Sequence, residues 1–261
     1  MILFISFSIR PGSALVLRIL LINPNTTSTI TDLIWQRVRR MVGETDVVLP
    51  VTARFGAAYI STRAAVAIAA HAGLDLLASH VHRCDAVYLA CFGDPGLAAL
   101  QEVSPVPVIG MLTSSCLAAC EKGKRFGIVT GGSNWKPMLT EMVAALGLSD
   151  RFAGVQTVVP TGDLIARDPE AALAGLADAC ELSRTQDGAD VVILGGAALA
   201  GLAARLQPRL SIPVICSVET GMQAVIASAR GKRSRARRER EPIATTGLSP
   251  ELEHFLGTPP D

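Results

Sequence analysis

The feature that most constrains the fold is an internal repeat. Residues 85–97 read DAVYLACFGDPGL, and residues 190–202 read DVVILGGAALAGL. Asp85 aligns with Asp190 and Gly96 aligns with Gly201. Each stretch is an apolar strand that enters a Gly-rich turn, and a Pro-Val-Ile sequence follows each of them, at residues 107–109 and 213–215. A period of this length, found twice in one chain, indicates a duplicated structural unit.

The repeat extends upstream. Residues 18–26 read RILLINPNT and residues 125–133 read RFGIVTGGS, so that Asn23 falls opposite Thr130. Apolar strand-like segments alternate with helix-like segments in both halves, which is typical of parallel sheets with right-handed crossovers. The pattern predicts an α/β fold of two Rossmann-like lobes related by a pseudo-twofold axis. Strands are predicted at residues 18–22, 46–51, 85–90, 106–109, 125–130, 154–159, 190–194 and 214–216.

The predicted boundaries follow from the repeat. Residues 18–112 and 214–228 are assigned to the first lobe, and residues 113–213 to the second. Residues 1–17 are interpreted as an N-terminal extension, since their apolar run is interrupted by Arg10 and Pro11. Residues 229–261 begin with the basic run ARGKRSRARRER and are interpreted as a disordered, solvated tail.

Composition excludes several classes of function. The net charge is +1, so no overall attraction to nucleic acid or to a membrane is expected. No segment is expected to span a membrane, and the protein is predicted to be cytoplasmic. Six cysteines without CxxC spacing are interpreted as free thiols. The four histidines do not form a metal-binding set, so no metal is expected.

Ligands of parallel sheets bind at the carboxyl ends of the strands. The turns at these ends contain residues 23–25, 91–94, 130–132 and 195–197. If the lobes face each other, the four turns meet in one cleft, and glycines let the backbone approach a ligand closely. The candidate substrate-binding residues are Asn23, Phe92, Gly93, Asp94, Thr130, Gly195, Gly196 and Ala197.

Cys91 is the candidate catalytic residue. It follows a predicted buried strand and precedes a predicted helix, where the helix dipole and backbone N–H groups favour a thiolate. A thiolate at such a position can act as a base or a nucleophile. The alternative is a small buried cysteine that packs as an apolar side chain. Asp94, followed by Pro95, is expected to cap that helix, and a charge there would raise the pKa of Cys91.

Three motifs give the chain a family resemblance. LLINPNTT at residues 20–27, LACFGDPG at residues 89–96 and VILGGAALAG at residues 192–201 resemble the aspartate/glutamate/hydantoin racemase superfamily, and its hydantoin and allantoin racemase branch most closely. The resemblance implies a homo-oligomeric, cofactor-independent isomerase that acts on an amino acid or hydantoin-like compound. One cysteine thiolate removes the proton next to a carbonyl, and a second thiol returns a proton to the opposite face.

The chain departs from this family pattern at one position. Cys91 matches the first cysteine, but Gly196 stands where the second is expected, and the internal repeat also aligns Cys91 with Gly196. Three alternatives remain open. Water or Cys216 supplies the second proton, the enzyme is a one-cysteine decarboxylase, lyase or isomerase, or the chain is a non-catalytic ligand-binding relative. Phe55 is considered as a wall of the pocket, although a core position is preferred.

Overall fold

The structure is a computed structural model that describes residues 16–159, 161–231 and 241–257. Expectations about residues 1–15, 232–240 and 258–261 therefore lie outside the described residues. The first sheet contains four parallel strands in the order β2-β1-β3-β4, namely β1 (Arg18–Asn23), β2 (Val47–Thr52), β3 (Ala86–Leu89) and β4 (Val108–Gly110). Strand β3 and most of β1 are buried, as expected for strands covered by helices on both faces.

The second sheet repeats the first. Its four parallel strands are β5 (Phe126–Gly131), β6 (Phe152–Val158), β7 (Val191–Leu194) and β8 (Val214–Cys216), in the order β6-β5-β7-β8. The same topology is therefore built twice from consecutive halves of the chain. This confirms the predicted α/β fold of two lobes.

Helices follow most of the strands. In the first half they are α1 (Ser28–Val38), α2 (Arg63–His80), α3 (Leu97–Val103) and α4 (Met111–Lys122). In the second half they are α5 (Trp135–Ala145), α6 (Gly162–Arg167), α7 (Pro169–Thr185), α8 (Leu202–Leu206) and α9 (Ser217–Arg230), and α10 (Pro250–Gly257) follows.

Helices α4 and α9 join the two lobes. Helix α4 follows β4 of the first sheet but packs on β7 of the second, whereas α9 follows β8 and packs on β3. The two helices also contact each other. The Tyr88 hydroxyl in β3 donates a hydrogen bond to the Val218 carbonyl in α9 (3.0 Å). Gly221 permits this contact, because a Cβ there would lie 2.3 Å from the Tyr88 hydroxyl.

This exchange of helices corrects one predicted boundary. Residues 214–228 were assigned to the first lobe, but Val214 and Cys216 pair with Val192 and Leu194 of β7 in the second sheet. The crossover through α8 returns the chain beside β7, as right-handed βαβ units do. The helical part of the segment, α9, packs against β3 and β4 of the first sheet.

The C-terminal segment also differs from its prediction as a disordered tail. Residues 241–257 include α10, which packs against α2. Asp75 of α2 is buried, and its carboxylate accepts hydrogen bonds from Ser249 and from Arg54 (2.8 Å to Arg54). These contacts satisfy a carboxylate whose burial alone would raise its pKa, and the net effect lowers the pKa of Asp75.

Among the described residues, one helical segment is long and apolar enough, by length and composition only, to cross a membrane. It spans Arg63–Arg83, with a hydropathy of 1.4. In the fold this segment packs against β1, α3 and α10, as an Ala- and Leu-rich helix of a protein core does.

Candidate active site

A cavity lies where the carboxyl ends of the strands of both lobes meet. It encloses about 640 Å³ of empty space, its open mouth included. Both lobes contribute to its wall, as the repeat predicts. Its lining residues are Asn25, Thr27, Ile30, Ala58, Tyr59, Ile60, Ala90, Cys91, Phe92, Thr130, Gly131, Trp135, Gly162, Asp163, Gly195, Gly196, Ala197, Ala198 and Leu199.

Six of the nine residues predicted for the site line this cavity. They are Cys91, Phe92, Thr130, Gly195, Gly196 and Ala197. The two Gly-rich turns touch each other directly, since a Cβ on Gly195 would lie 2.2 Å from the Phe92 ring. The absence of a side chain at Gly195 therefore allows the Cys91 turn of one lobe to pack against the equivalent turn of the other.

Asn23 does not line the cavity. Its side chain is fully buried, and its Nδ2 donates hydrogen bonds to Thr31 Oγ1 (2.9 Å) and Asn25 Oδ1 (3.0 Å). Its Oδ1 accepts from the Asn25 backbone N–H (3.2 Å). Asn23 thus shapes the turn after β1, and that turn presents Asn25 and Thr27 to the cavity instead.

Gly93 and Asp94 also lie outside the lining. A Cβ on Gly93 would lie 2.8 Å from the Trp135 ring, so the glycine makes room for that ring. Asp94 has a positive φ of 42°, and its carboxylate accepts from the backbone N–H groups of Leu112 (2.9 Å) and Thr113 (2.8 Å). Asp94 therefore caps α4, and the prediction that it caps the helix beside it is wrong. That helix, α3, begins only at Leu97, after Gly96 with φ 71°.

The surroundings of Cys91 raise the pKa of its thiol. Cys91 is 9% exposed, and burial raises its pKa to about 12, to which the negative charge of Asp94 contributes. The effect of Asp94 was expected, but the expected stabilisation of a thiolate was not found. The reason is that the nearest following helix begins six residues later and that the thiol lies in an apolar enclosure.

The turn opposite Cys91 has an unusual backbone. Gly196 has φ 135° and ψ 139°, a conformation that essentially only glycine adopts. Its N–H donates a hydrogen bond to Ser217 Oγ (3.2 Å), so this group is already engaged within the protein. Gly196 therefore presents no side chain to the cavity, and its backbone N–H is bonded to Ser217 and not to a ligand.

Cys216 does not replace the missing side chain. It is buried at the N-terminus of α9 and is absent from the described lining of the cavity. Burial raises its pKa, and backbone N–H groups, that of Gly201 first, lower it only in part. The sequence-based suggestion that Cys216 supplies a second thiol is therefore not supported by its position.

Tyr59 is a cavity residue that the sequence analysis missed. It follows β2 in the first lobe, yet its hydroxyl reaches the second lobe, where it donates to the Gly131 carbonyl (3.2 Å) and accepts from the Gly162 N–H (3.3 Å). Burial raises the pKa of Tyr59. Phe55, which was considered for this wall, is 37% exposed and packs edge-on against His71 instead.

Trp135 and Asp163 were missed as well. Trp135 begins α5, and Asp163 lies in the first turn of α6, so each follows the carboxyl end of a strand in the second lobe. The loops after β2 and β6 are equivalent in the two lobes, and they contribute Tyr59 and Asp163 respectively. Applying the strand-end rule to these two strands would have identified both loops.

Among the described residues, no group of three or more His, Cys, Asp or Glu side chains is placed to hold a metal ion. All six cysteines are free thiols. The side chains that the cavity brings together are therefore hydroxyls, an amide, a thiol, a carboxylate and apolar rings. Such a set is suited to binding a small polar ring or acid and exchanging protons with it.

Comparison with known proteins agrees with this description. Residues 19–225 match the sequence model of the Asp/Glu/Hydantoin racemase family. A hydantoin racemase from Pseudomonas sp. (strain NS671) is 31% identical over 79% of this chain and 84% of its own length. The allantoin racemase from Klebsiella pneumoniae superposes with a TM-score of 0.81 at 28% identity, covering 90% of this chain and 98% of that one. The allantoin racemase from Pseudomonas fluorescens gives 0.80 at 27% identity, over 87% and 100%.

Proposed function

Because this chain belongs to the Asp/Glu/hydantoin racemase family and is an enzyme of the racemase type, we propose that it exchanges the proton next to a carbonyl group of a hydantoin-like compound or amino acid. Cys91 is the acid–base residue. The observation that carries this proposal is the position of Cys91, at the strand end of one lobe and in the wall of a cavity shared with the other.

The cavity offers polar groups that can orient such a substrate. The Asn25 amide and the hydroxyls of Thr27 and Thr130 lie around it, and they can hydrogen-bond an imide or a carboxylate. The remaining wall includes Trp135 and Phe92, which can pack against an apolar substituent. We also propose that the enzyme is cytoplasmic and homo-oligomeric and that its partner is a small-molecule substrate.

The pKa of Cys91 decides which of its forms begins the reaction. With a pKa of about 12, the residue is a thiol at neutral pH, so it donates a proton to the enolate that remains after the substrate carbon has lost its own proton. That step leaves a thiolate, which in the reverse reaction removes the proton of the opposite enantiomer. No metal or organic cofactor takes part in either transfer.

The experiment is a deuterium exchange measurement on the enzyme as it stands. Single enantiomers of 5-substituted hydantoins, allantoin and amino acids are incubated in D₂O, and the α-proton is followed by NMR alongside optical rotation. We expect at least one compound to lose optical rotation and to gain deuterium without change of constitution. Absence of exchange with every compound would contradict the proposal.

A one-cysteine decarboxylase, lyase or isomerase is the second candidate, because Gly196 provides no acid–base side chain. Such an enzyme makes a new compound, whereas a racemase makes only the mirror image of its substrate. The same NMR spectra separate the two, since a new compound has new resonances. A non-catalytic relative would be stabilised thermally by a ligand that it leaves unchanged.

Introducing a cysteine at the vacant position is expected not to increase racemisation. Gly196 has φ 135°, so Gly196→Cys forces an L side chain into a backbone region that costs about 1–3 kcal/mol. Gly196→Ala has the same backbone conflict without a thiol, and it serves as the control. We expect both variants to lose similar amounts of unfolding free energy in urea. A tenfold higher racemisation rate in Gly196→Cys than in Gly196→Ala would contradict this.

A further inference from the structure

In a two-base inversion of a carbon centre a proton-exchanging group lies on each of its faces, and loss of one such group typically lowers the rate about 10²–10⁴-fold. On the first-lobe side that group is Cys91. On the second-lobe side Gly196 has no side chain, and Cys216 is outside the described lining. Another side chain of the second-lobe wall must therefore serve if the proposed racemisation is to be efficient.

Few side chains of the described lining can exchange a proton. Besides Cys91, they belong to Thr27, Tyr59, Thr130 and Asp163. Threonine hydroxyls do not ionise near neutral pH. The Tyr59 hydroxyl is held between a carbonyl and an N–H of the second lobe, and burial raises its pKa. A carboxylate is the member of this set that most readily acts as a general base.

Asp163 lies on the required side of the cavity. Helix α6, which contains it, packs against the short helical turn Ala197–Leu199 that directly follows Gly196. The contact is close, since a Cβ on Gly162 would lie 3.4 Å from the Ala198 Cβ. Asp163 and Cys91 both act electrostatically on the Tyr59 hydroxyl, so both groups lie near that residue.

The local structure holds the Asp163 carboxylate through a hydrogen bond. One oxygen, Oδ1, accepts a hydrogen bond from the Thr161 hydroxyl, which is the residue before α6. Asp163 is half-buried, so that it reaches both the cavity and solvent. No described lysine, arginine or histidine forms an ion pair with it.

We propose that Asp163 is the second acid–base residue of this enzyme and acts on the substrate face opposite Cys91. The inference rests on the proposed function. The Asp163 carboxylate takes the proton from the substrate carbon, which leaves an enolate and a carboxylic acid. The Cys91 thiol then gives its proton to the other face, which leaves a thiolate and the opposite enantiomer. Proton exchange with solvent restores the starting forms, and the reverse reaction uses the same groups in exchanged roles.

The test compares Asp163→Asn with Cys91→Ser in D₂O, on each enantiomer of the substrate that the unmodified enzyme racemises. Both variants should lower the rate of inversion at least about 10²-fold. Each should still exchange the α-proton of one enantiomer without inverting it. Because the two remaining groups face opposite sides of the carbon, the enantiomer that exchanges should differ between the variants.

The chain provides matched controls. Asp168→Asn removes another carboxylate of the same segment, one that caps α7 through the Ala171 N–H (3.1 Å) and does not line the cavity, and asparagine is an equally good cap. It should leave inversion unchanged. Asp163→Glu retains a carboxylate and should keep more activity than Asp163→Asn if folding is intact. Tyr59→Phe removes the Tyr59 hydroxyl, which is the alternative to Asp163 as the second proton-exchanging group.

The outcomes distinguish a failure of the proposed function from a failure of the role of Asp163. If the unmodified enzyme exchanges no α-proton, the proposed function fails and the role of Asp163 fails with it. If the unmodified enzyme racemises a substrate and Asp163→Asn inverts it within threefold of that rate, the role of Asp163 alone is wrong. Loss of inversion in Tyr59→Phe together with full inversion in Asp163→Asn would assign the second proton to Tyr59. Opposite enantiomer preferences in Asp163→Asn and Cys91→Ser support the proposal.

Discussion

Cys91→Ser is expected to lower racemisation at least about 10²-fold and up to about 10⁴-fold, the range found when an acid–base residue is removed. Serine has nearly the same shape, but its hydroxyl ionises far less readily than a thiol, so the proton cannot be exchanged at a useful rate. The fold should persist, because Cys91 is a small residue at the edge of the core and forms no disulfide. Polarimetry at neutral pH and urea unfolding measure the two effects.

Cys216→Ser is the matched control for this experiment. Cys216 is the last residue of β8 in the second lobe, and Cys91 follows β3 in the first lobe. Both cysteines are buried, but of the two only Cys91 belongs to the described lining of the cavity. The control should keep racemisation within about threefold of the unmodified rate, because Cys216 is outside the described lining of the cavity. The loss of rate in Cys91→Ser should therefore be at least about thirtyfold larger than the loss in Cys216→Ser. Equal losses in the two variants would show that the sulfur at Cys91 acts through packing and not through proton exchange.

Asp94→Asn is expected to flatten the dependence of stability on pH. The pKa of Asp94 is raised from 3.8 to about 6, first by burial, which the hydrogen bonds that its carboxylate accepts from Thr113 and Leu112 only partly offset. The folded protein therefore binds this proton more tightly than the unfolded chain. The resulting stabilisation is complete below about pH 4 and is lost as the pH rises through 6, a change of up to about 3 kcal/mol.

Urea unfolding at pH 4, 5, 6, 7 and 8 measures this change. In Asp94→Asn the fall between pH 4 and 7 should be smaller by up to about 3 kcal/mol, whatever the offset from an altered cap of α4. Asp178→Asn removes an exposed charge and provides the background slope. Parallel curves for Asp94→Asn and Asp178→Asn would show that Asp94 titrates normally in the fold.

The same substitution links Asp94 to the site. Its negative charge helps to raise the pKa of Cys91, so Asp94→Asn should lower that pKa while burial continues to raise it. The pH at which iodoacetamide modifies Cys91 should fall accordingly. A negative charge placed beside the thiol keeps it protonated, which suits a residue that acts as a proton donor to an enolate.

The architecture could be predicted from sequence because its signals are local and occur twice. Continuous apolar runs such as β3 and β7 are typical of strands buried between two layers of helices. The Gly-rich turns at their carboxyl ends lie where ligands of parallel sheets bind. The positions of Cys91, Phe92, Thr130 and Gly196 followed from that rule. The departure at Gly196 was visible as well, because the repeat aligns it with Cys91.

Contacts between distant segments could not be predicted in this way. Asp94 lies directly before a proline and three residues before α3, yet its carboxylate caps α4, which begins 17 residues later. Tyr59 reaches the second lobe only because the lobes pack face to face. The C-terminal segment becomes ordered through Ser249 and Asp75, 174 residues apart in the chain.

The order of apolar and polar residues along this chain was therefore enough to specify two α/β lobes and a thiol at their junction. Which groups surround that thiol, and whether it is ionised, depended on how the lobes come together. Hydrophobic periodicity is a property of neighbouring residues, whereas the solvation of a thiol and the partner of a carboxylate depend on atoms that the folded chain brings in from elsewhere.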